Sequence, residues 1–227
     1  MALNKKIMVF DFETDGPNPE ICQPVQVAAL VLDPRNLSIV PGSEFNSFMR
    51  PEGIDNEDYL NPTTIKTIEW HAKNRQCSTD DILDAWREYP SQKIVWEQFY
   101  EYCMRYNPNR NLSTAPIPCG ANIEAFDLVI VDRLNEKYNK GTMFWRRDTI
   151  DIQHVAWLWL AWIDGPKNIK MDTLKDYFGL ENEERHDALA DVKEEAWFAQ
   201  KFLGLHQNMS PRVDYHGLKK KAKTELL

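Results

Sequence analysis

The sequence predicts an α/β domain in which a mixed, five-stranded β-sheet is flanked by helices. Two observations support this fold class. Three apolar runs follow one another within the first part of the chain, and short apolar runs then alternate with helical patterns after residue 115. Because the first three runs lie close in sequence, an antiparallel meander is their most economical arrangement.

The first three strands are predicted at residues 7–12, 24–32 and 44–49. Residues 7–12 form a continuous apolar run, which is typical of a central strand covered on both faces. The turn-forming residues Asp15, Gly16, Pro17, Asn18 and Pro19 end this strand. The run at 24–32 is rich in β-branched and apolar residues and closes at Asp33-Pro34.

Helical patterns alternate with two further strands in the rest of the chain. We predict helices at 63–74, 92–106 and 123–138, a tryptophan-rich helix beginning near Asp151, and helices at 171–179 and 187–203. Gly179 is the predicted stop of the fifth helix, and Asn122 is the predicted N-cap of the third. The remaining strands are predicted at 117–120 and 143–145.

Composition and charge indicate one globular domain. With 227 residues, 43% hydrophobic and 27% charged, the chain is long enough for a sizeable core. We expect a domain at 1–205, with an insertion around 52–115, and a basic C-terminal tail at 206–227. The tail contains Lys219-Lys-Lys-Ala-Lys223, which either contacts phosphate or is a solvated chain end. The net charge of −8 argues against a protein that coats long nucleic acid, but allows one that binds a short chain end.

The sequence predicts an intracellular, cytoplasmic protein without a membrane partner. Its four cysteines, Cys22, Cys77, Cys103 and Cys119, form no CxxC pair, which favours reduced thiols. The apolar stretch near the N-terminus is too short for a signal peptide, and the apolar run at 155–163 is too short to span a bilayer.

Four acidic residues and one histidine carry the predicted chemistry. Asp11 and Glu13 follow the first apolar run, Asp127 lies in an apolar context, and His186 precedes Asp191 by five residues. Residues two apart in a strand point to the same face, so Asp11 and Glu13 are expected to project together. Because buried carboxylates need a cation, this set predicts a binuclear site for hard metal ions that acts on phosphate esters.

Each of these segments has a simpler interpretation when it is taken alone. Asp11 and Glu13 are equally compatible with solvated acids at a strand end. Asp127 is also explained as a first-turn acid favoured by the helix dipole. A single histidine is more often a surface or hydrogen-bonded residue, as we expect for His71, His154, His206 and His216.

Taken together, these segments resemble the DEDDh family of 3′→5′ exonucleases. The resemblance rests on three motifs in the family's order: Val9-Phe-Asp-Phe-Glu-Thr-Asp-Gly16, Gly120-Ala-Asn-Ile-Glu-Ala-Phe-Asp127 and His186-Asp-Ala-Leu-Ala-Asp191. Residues 171–179 also resemble the short helix that precedes the family's third motif. The chain departs from the family at Ala121, where histidine is common, and in a second motif that is one residue longer.

The resemblance implies an RNase H-like fold and two Mg²⁺ or Mn²⁺ ions. Asp11 would bridge both ions, Glu13 and Asp191 would complete the first site, and Asp127 would hold the second. His186 would deprotonate the attacking water, so that a nucleoside 5′-monophosphate leaves. Thr14 and Asn122 are the predicted substrate-binding residues.

Single-stranded DNA 3′ ends are the leading substrate, and a polymerase or another replication protein is a conceivable partner in this family. Two alternatives stay open. One is a 3′→5′ exoribonuclease or oligoribonuclease, which would differ in its acceptance of the 2′-hydroxyl. The other is a non-catalytic nucleic-acid-binding module associated with a polymerase. The presence of all five catalytic residue types argues against that module.

Overall fold

The protein is an α/β domain built on a single five-stranded sheet with the order β3-β2-β1-β4-β5. The structure, a computed structural model, describes residues 5–180 and 187–209. The strands are β1 (Ile7–Thr14), β2 (Pro24–Leu32), β3 (Phe45–Phe48), β4 (Ile117–Gly120) and β5 (Ile150–Asp151). Strands β1, β2 and β3 pair antiparallel, whereas β4 and β5 continue the sheet in parallel. The predicted fold class and the antiparallel meander are confirmed.

Seven helices are present in the described part of the chain. They are α1 (Pro62–Arg75), α2 (Thr79–Glu88), α3 (Gln92–Arg105), α4 (Asp127–Lys137), α5 (Ile152–Leu160), α6 (Met171–Phe178) and α7 (Ala188–Met209). Gly179 ends α6 in the left-handed conformation with φ of 68°, as predicted. Within residues 5–180 and 187–209, every helix falls short of the length and apolar character that a membrane span requires.

The alternation of side chains along β1 divides the core into two layers. Met8, Phe10 and Phe12 pack with α3 and α4 on one face of the sheet. Ile7 and Val9 belong to the opposite layer, which contains α5, α6 and α7. Because side chains alternate along a strand, Asp11 and Glu13 continue the α7 side of β1.

Three predictions about secondary structure are wrong. Residues 143–145 form no strand, because Phe144 is buried against Phe10, with ring centroids 4.9 Å apart, and fills the core instead. The fifth strand is the short segment β5, which follows a 3₁₀ turn at Arg146–Asp148. The prediction also missed α2, although Ser78 and Asp81 form a capping box at its start.

The third error concerns the start of α4. Asn122 is not its N-cap, because α4 begins five residues later at Asp127, with Phe126 at the cap position. Asn122 adopts a positive φ of 56°, and its carbonyl oxygen accepts hydrogen bonds from the amides of Ala125 and Phe126. A tight turn therefore separates β4 from α4, and asparagine tolerates the left-handed backbone that this turn needs.

Candidate metal centre

The carboxyl end of β1 presents two acids on the face that carries α7. Asp11 pairs with Ala28 and Glu13 with Gln26 in the antiparallel ladder to β2. A register irregularity follows between Glu13 and Thr14, where the strand leaves the sheet. Asp11 is partly buried, and Glu13 is 7% exposed. These acids therefore lie at the carboxyl end of the central strand, where burial limits their contact with water.

The start of α7 is fixed to the sheet by a buried glutamine. The Gln26 side chain is fully buried and donates to Asp187 Oδ2 at 2.8 Å, while its Oε1 accepts from the Ala188 amide. Asp187 Oδ1 in turn accepts from the amides of Leu189 and Ala190, which caps the helix. This arrangement sets the direction of α7, and thereby the position of Asp191 one turn further on.

Asp11, Glu13 and Asp191 come together as one acidic cluster. Each offers one carboxylate oxygen, and the three oxygens lie within 4.8 Å of one another. Oxygens bound to the same Mg²⁺ at about 2.1 Å are about 3.0 Å apart when adjacent and about 4.2 Å apart when opposite, so shifts of up to about 2 Å between these side chains would let them share one ion. The all-oxygen donor set fits a hard cation such as Mg²⁺ or Mn²⁺.

The cluster is electrostatically strained without a cation. Burial, followed by the charge of Asp191, raises the pKa of Asp11 from 3.8 to about 7. Burial and the charge of Asp11 raise the pKa of Glu13 well above its usual value. The fold thus holds carboxylates where their ionised forms repel one another, and a bound cation would relieve that repulsion.

Asp127 approaches the cluster from the other layer of the domain. It is 2% exposed in the first turn of α4, and its Oδ1 accepts a hydrogen bond of 3.1 Å from the Phe12 amide. Burial and the nearby charge of Asp11 raise the pKa of Asp127 well above the usual range. The hydrogen bond ties Asp127 to the strand residue between Asp11 and Glu13, which places it beside the acidic cluster.

A further buried acid, Glu195, was missed by sequence reasoning. It lies one turn beyond Asp191 on α7, is 4% exposed, and its Oε1 accepts from the Ala121 amide at 3.1 Å. Its Oε2 has no hydrogen-bond partner among residues 5–180 and 187–209. Burial, with the charges of Asp11 and Asp127, raises its pKa well above normal. Its spacing of four residues from Asp191 was the available signal, but glutamate in a helix is too common to single out.

A groove adjoins the cluster at Thr14. It has a volume of about 600 Å³ and is lined by the end of β1 and by α1, including Thr14, Lys66, Trp70 and Phe126. The Thr14 hydroxyl donates to Gly16 O at 2.8 Å, so it stabilises the turn after β1. The buried His71 ring lies 2.9 Å from the Thr14 carbonyl oxygen through Nε2, which makes His71 the hydrogen-bonded histidine that we expected.

Two predicted site residues, Asn122 and His186, are not seen at the acidic cluster or in the groove. Asn122 is exposed on the turn between β4 and α4, and it does not line the groove that contains Thr14. His186 lies outside the described residues, although its neighbour Asp187 is described and caps α7. The basic segment of the tail also lies outside them.

Comparison with known proteins identifies the fold. No protein-family model and no curated protein sequence matches the chain. Solved structures do: a product-bound exonuclease I aligns over 92% of this chain with a TM-score of 0.65 and 17% identity. E. coli exonuclease I in complex with a dT13 oligonucleotide aligns over 95% of the chain with a TM-score of 0.64 and 18% identity. A zinc-bound complex of the E. coli enzyme with single-stranded DNA aligns over 86%, with a TM-score of 0.59 and 18% identity.

The chain therefore has the RNase H-like α/β fold that its motifs predicted. Its structure is similar to that of exonuclease I, which confirms the fold implied by the DEDDh resemblance. The chain spans about half the length of these proteins, since it covers 45% and 46% of the first two.

Proposed function

We propose that this protein is a metal-dependent 3′→5′ exonuclease that removes nucleoside 5′-monophosphates from single-stranded DNA ends. The observation that carries the proposal is the meeting of Asp11, Glu13 and Asp191, whose carboxylate oxygens lie within 4.8 Å of one another. These acids come from separate motifs and converge at the carboxyl end of the central strand, where open α/β sheets bind their ligands.

Two divalent ions fit the charge and chemistry of the site. Asp11, Glu13 and Asp191 would hold one ion, while Asp11 and Asp127 would hold the other. When bound, Mg²⁺ or Mn²⁺ would make a water acidic enough to attack near neutral pH and would stabilise the charge on the departing 3′ oxygen.

The chain's own residues then orient the reaction. Asp127 keeps its carboxylate fixed against the Phe12 amide, and Lys175 pairs with Asp191 from the opposite side. His186 is the proposed general base, which accepts the proton of the attacking water at an imidazole nitrogen. In sequence, His186 directly precedes the cap residue Asp187 and lies five residues before Asp191.

The groove beside Glu13 supports a nucleotide substrate. Trp70 lines it and is 39% exposed, which offers an aromatic surface on which a base can stack. Lys66 lines the same groove, and Arg75 is close enough to Glu13 for its charge to lower the pKa of that acid. These two cations are proposed to pair with the phosphate backbone of the substrate. Thr14 and Asn122 are proposed to contact the terminal nucleotide from the ends of β1 and β4.

Single strands and DNA are the favoured form of the substrate. Two of the structurally similar exonuclease I structures contain a dT13 oligonucleotide. A groove lined by aromatic side chains such as Trp70 and Phe126 suits the stacking of unpaired bases. A polymerase or replication partner stays a prediction of the family resemblance.

The experiment is a time course on matched 5′-labelled single-stranded DNA and RNA oligomers with Mg²⁺, Mn²⁺ or EDTA. The proposal predicts a ladder that shortens from the 3′ end, needs metal, releases 5′-monophosphates and disappears in Asp11→Asn. Faster cleavage of RNA would assign an exoribonuclease instead. Binding without cleavage of either oligomer would favour the non-catalytic module.

A further inference from the structure

Lys175 is a buried lysine placed directly against the acidic cluster. Its side chain is 8% exposed, and its Nζ lies 3.1 Å from Asp191 Oδ1 and contacts Glu194 Oε2. Lysine is rarely buried unless its charge is paired. Here α6 supplies the cation and α7 supplies both acids, so the pair joins two helices beside the candidate metal centre.

The ammonium and a divalent ion would share one carboxylate. Asp191 belongs to the three acids whose oxygens converge, and the same side chain already pairs with Lys175. A positive charge held this close repels a second cation, and burial weakens the screening by water. Lys175 would therefore orient Asp191 and at the same time reduce the attraction of the cluster for metal.

Glu194 forms an ion pair with the same Lys175 ammonium group. Its carboxylate is 20% exposed, and it lies three residues after Asp191 on α7. Without Glu194, the full charge of Lys175 would act on Asp191. Lys175 therefore makes the electrostatic potential at the metal site more positive, and Glu194 makes it less positive.

We propose that Lys175 is a positioning residue that sets the metal affinity of the site, with Glu194 moderating its charge. The inference rests on the proposed function, because it concerns the ions that the acidic cluster would hold. A site weakened in this way binds its ions firmly only when the phosphate of a substrate adds further oxygen ligands.

The test is Mn²⁺ binding to the metal-free chain, measured by calorimetry and by electron paramagnetic resonance at pH 8 without nucleic acid. Lys175→Met should bind Mn²⁺ about tenfold more tightly, since it removes a charge near the ion. Glu194→Gln should bind it several-fold more weakly. Lys193→Met removes the same charge from an exposed pair with Glu44 and should change the affinity by less than about twofold.

A double-mutant cycle then separates Glu194's action through Lys175 from its own charge. The effect of Glu194→Gln should shrink to under about twofold in the Lys175→Met background. A purely structural link between α6 and α7 would instead weaken Mn²⁺ binding in both single variants, and that result overturns the proposal. If Lys175→Met does not fold, Lys175→Gln takes its place in the single variant and in the cycle, and tighter or unchanged binding by Glu194→Gln also refutes the inference.

The outcomes for the two proposals are distinct. Absence of Mn²⁺ binding by the unmodified chain, both alone and with a nucleoside 5′-monophosphate present, contradicts the proposed function. If the unmodified chain binds Mn²⁺, but Lys175→Met and Glu194→Gln change its Mn²⁺ affinity in the same direction or leave it unchanged, only the role of Lys175 is contradicted.

Discussion

The pH dependence of stability without metal follows from the position of Asp11. Its pKa in the folded chain is about 7, raised from 3.8 first by burial and then by Asp191. A carboxyl whose pKa is raised by folding binds more protons in the folded state, so it lowers stability as the pH rises from about 4 through 7. The metal-free protein should therefore be less stable at pH 8 than at pH 5.

The size of this effect can be worked out for one substitution. A difference of about three pH units corresponds to about 4 kcal/mol at ~1.36 kcal/mol per unit. Because Asp191 and Glu13 share the repulsion, we expect Asp11→Asn to recover about 2–4 kcal/mol of unfolding free energy at pH 8. Near pH 4 the carboxyl is protonated in the folded chain and only about half ionised in the unfolded chain, so the gain should fall to below about 1 kcal/mol.

Urea unfolding in EDTA, followed by tryptophan fluorescence at pH 4.5, 6 and 8, measures this gain. Asp84→Asn is the matched control, because that side chain is 75% exposed and pairs with Arg87 on the same helix. Adding Mn²⁺ should stabilise the unmodified chain and leave Asp11→Asn nearly unchanged. A loss of stability in Asp11→Asn at pH 8, or a gain that does not vary with pH, would refute the electrostatic account.

Three further substitutions test the catalytic and binding roles. His186→Ala should lower the cleavage rate by several orders of magnitude, and by more at neutral than at alkaline pH, where hydroxide is available; a rate loss that is the same at every pH would exclude the general base. Trp70→Ala should raise the KM for single-stranded oligomers about tenfold, as expected for loss of one stacked base, while Trp157→Ala on α5 should not; equal effects in both variants would argue against stacking at Trp70. Gln26→Leu should lower the unfolding free energy by about 2 kcal/mol in urea titrations and also reduce kcat, because it releases Asp187; a variant with normal stability and kcat would show that this contact is dispensable.

The elements that depend on local pattern could be predicted from the sequence. The apolar run of β1 and the two-residue spacing of Asp11 and Glu13 were sufficient to place both acids on one face of the strand. Asp127 was singled out because acids in apolar segments are unusual, and Asp191 because it follows His186 by five residues. The glycine stop of α6 was equally readable from sequence.

The supports of the site could not be predicted, because they depend on contacts between distant segments. Gln26 and Asp187 are separated by 161 residues in sequence, and Ala121 and Glu195 by 74. Phe144 looked like part of a strand until the structure placed it on Phe10. Tertiary packing, rather than local propensity, decides each of these positions.

The most direct test of the central claim is to locate the metal. Crystals of the chain grown with Mn²⁺ and a nucleoside 5′-monophosphate would be measured for anomalous scattering at the manganese edge. Our account predicts two peaks, one contacted by Asp11, Glu13 and Asp191, and one contacted by Asp11 and Asp127. Well-ordered crystals without a peak at these carboxylates would contradict it.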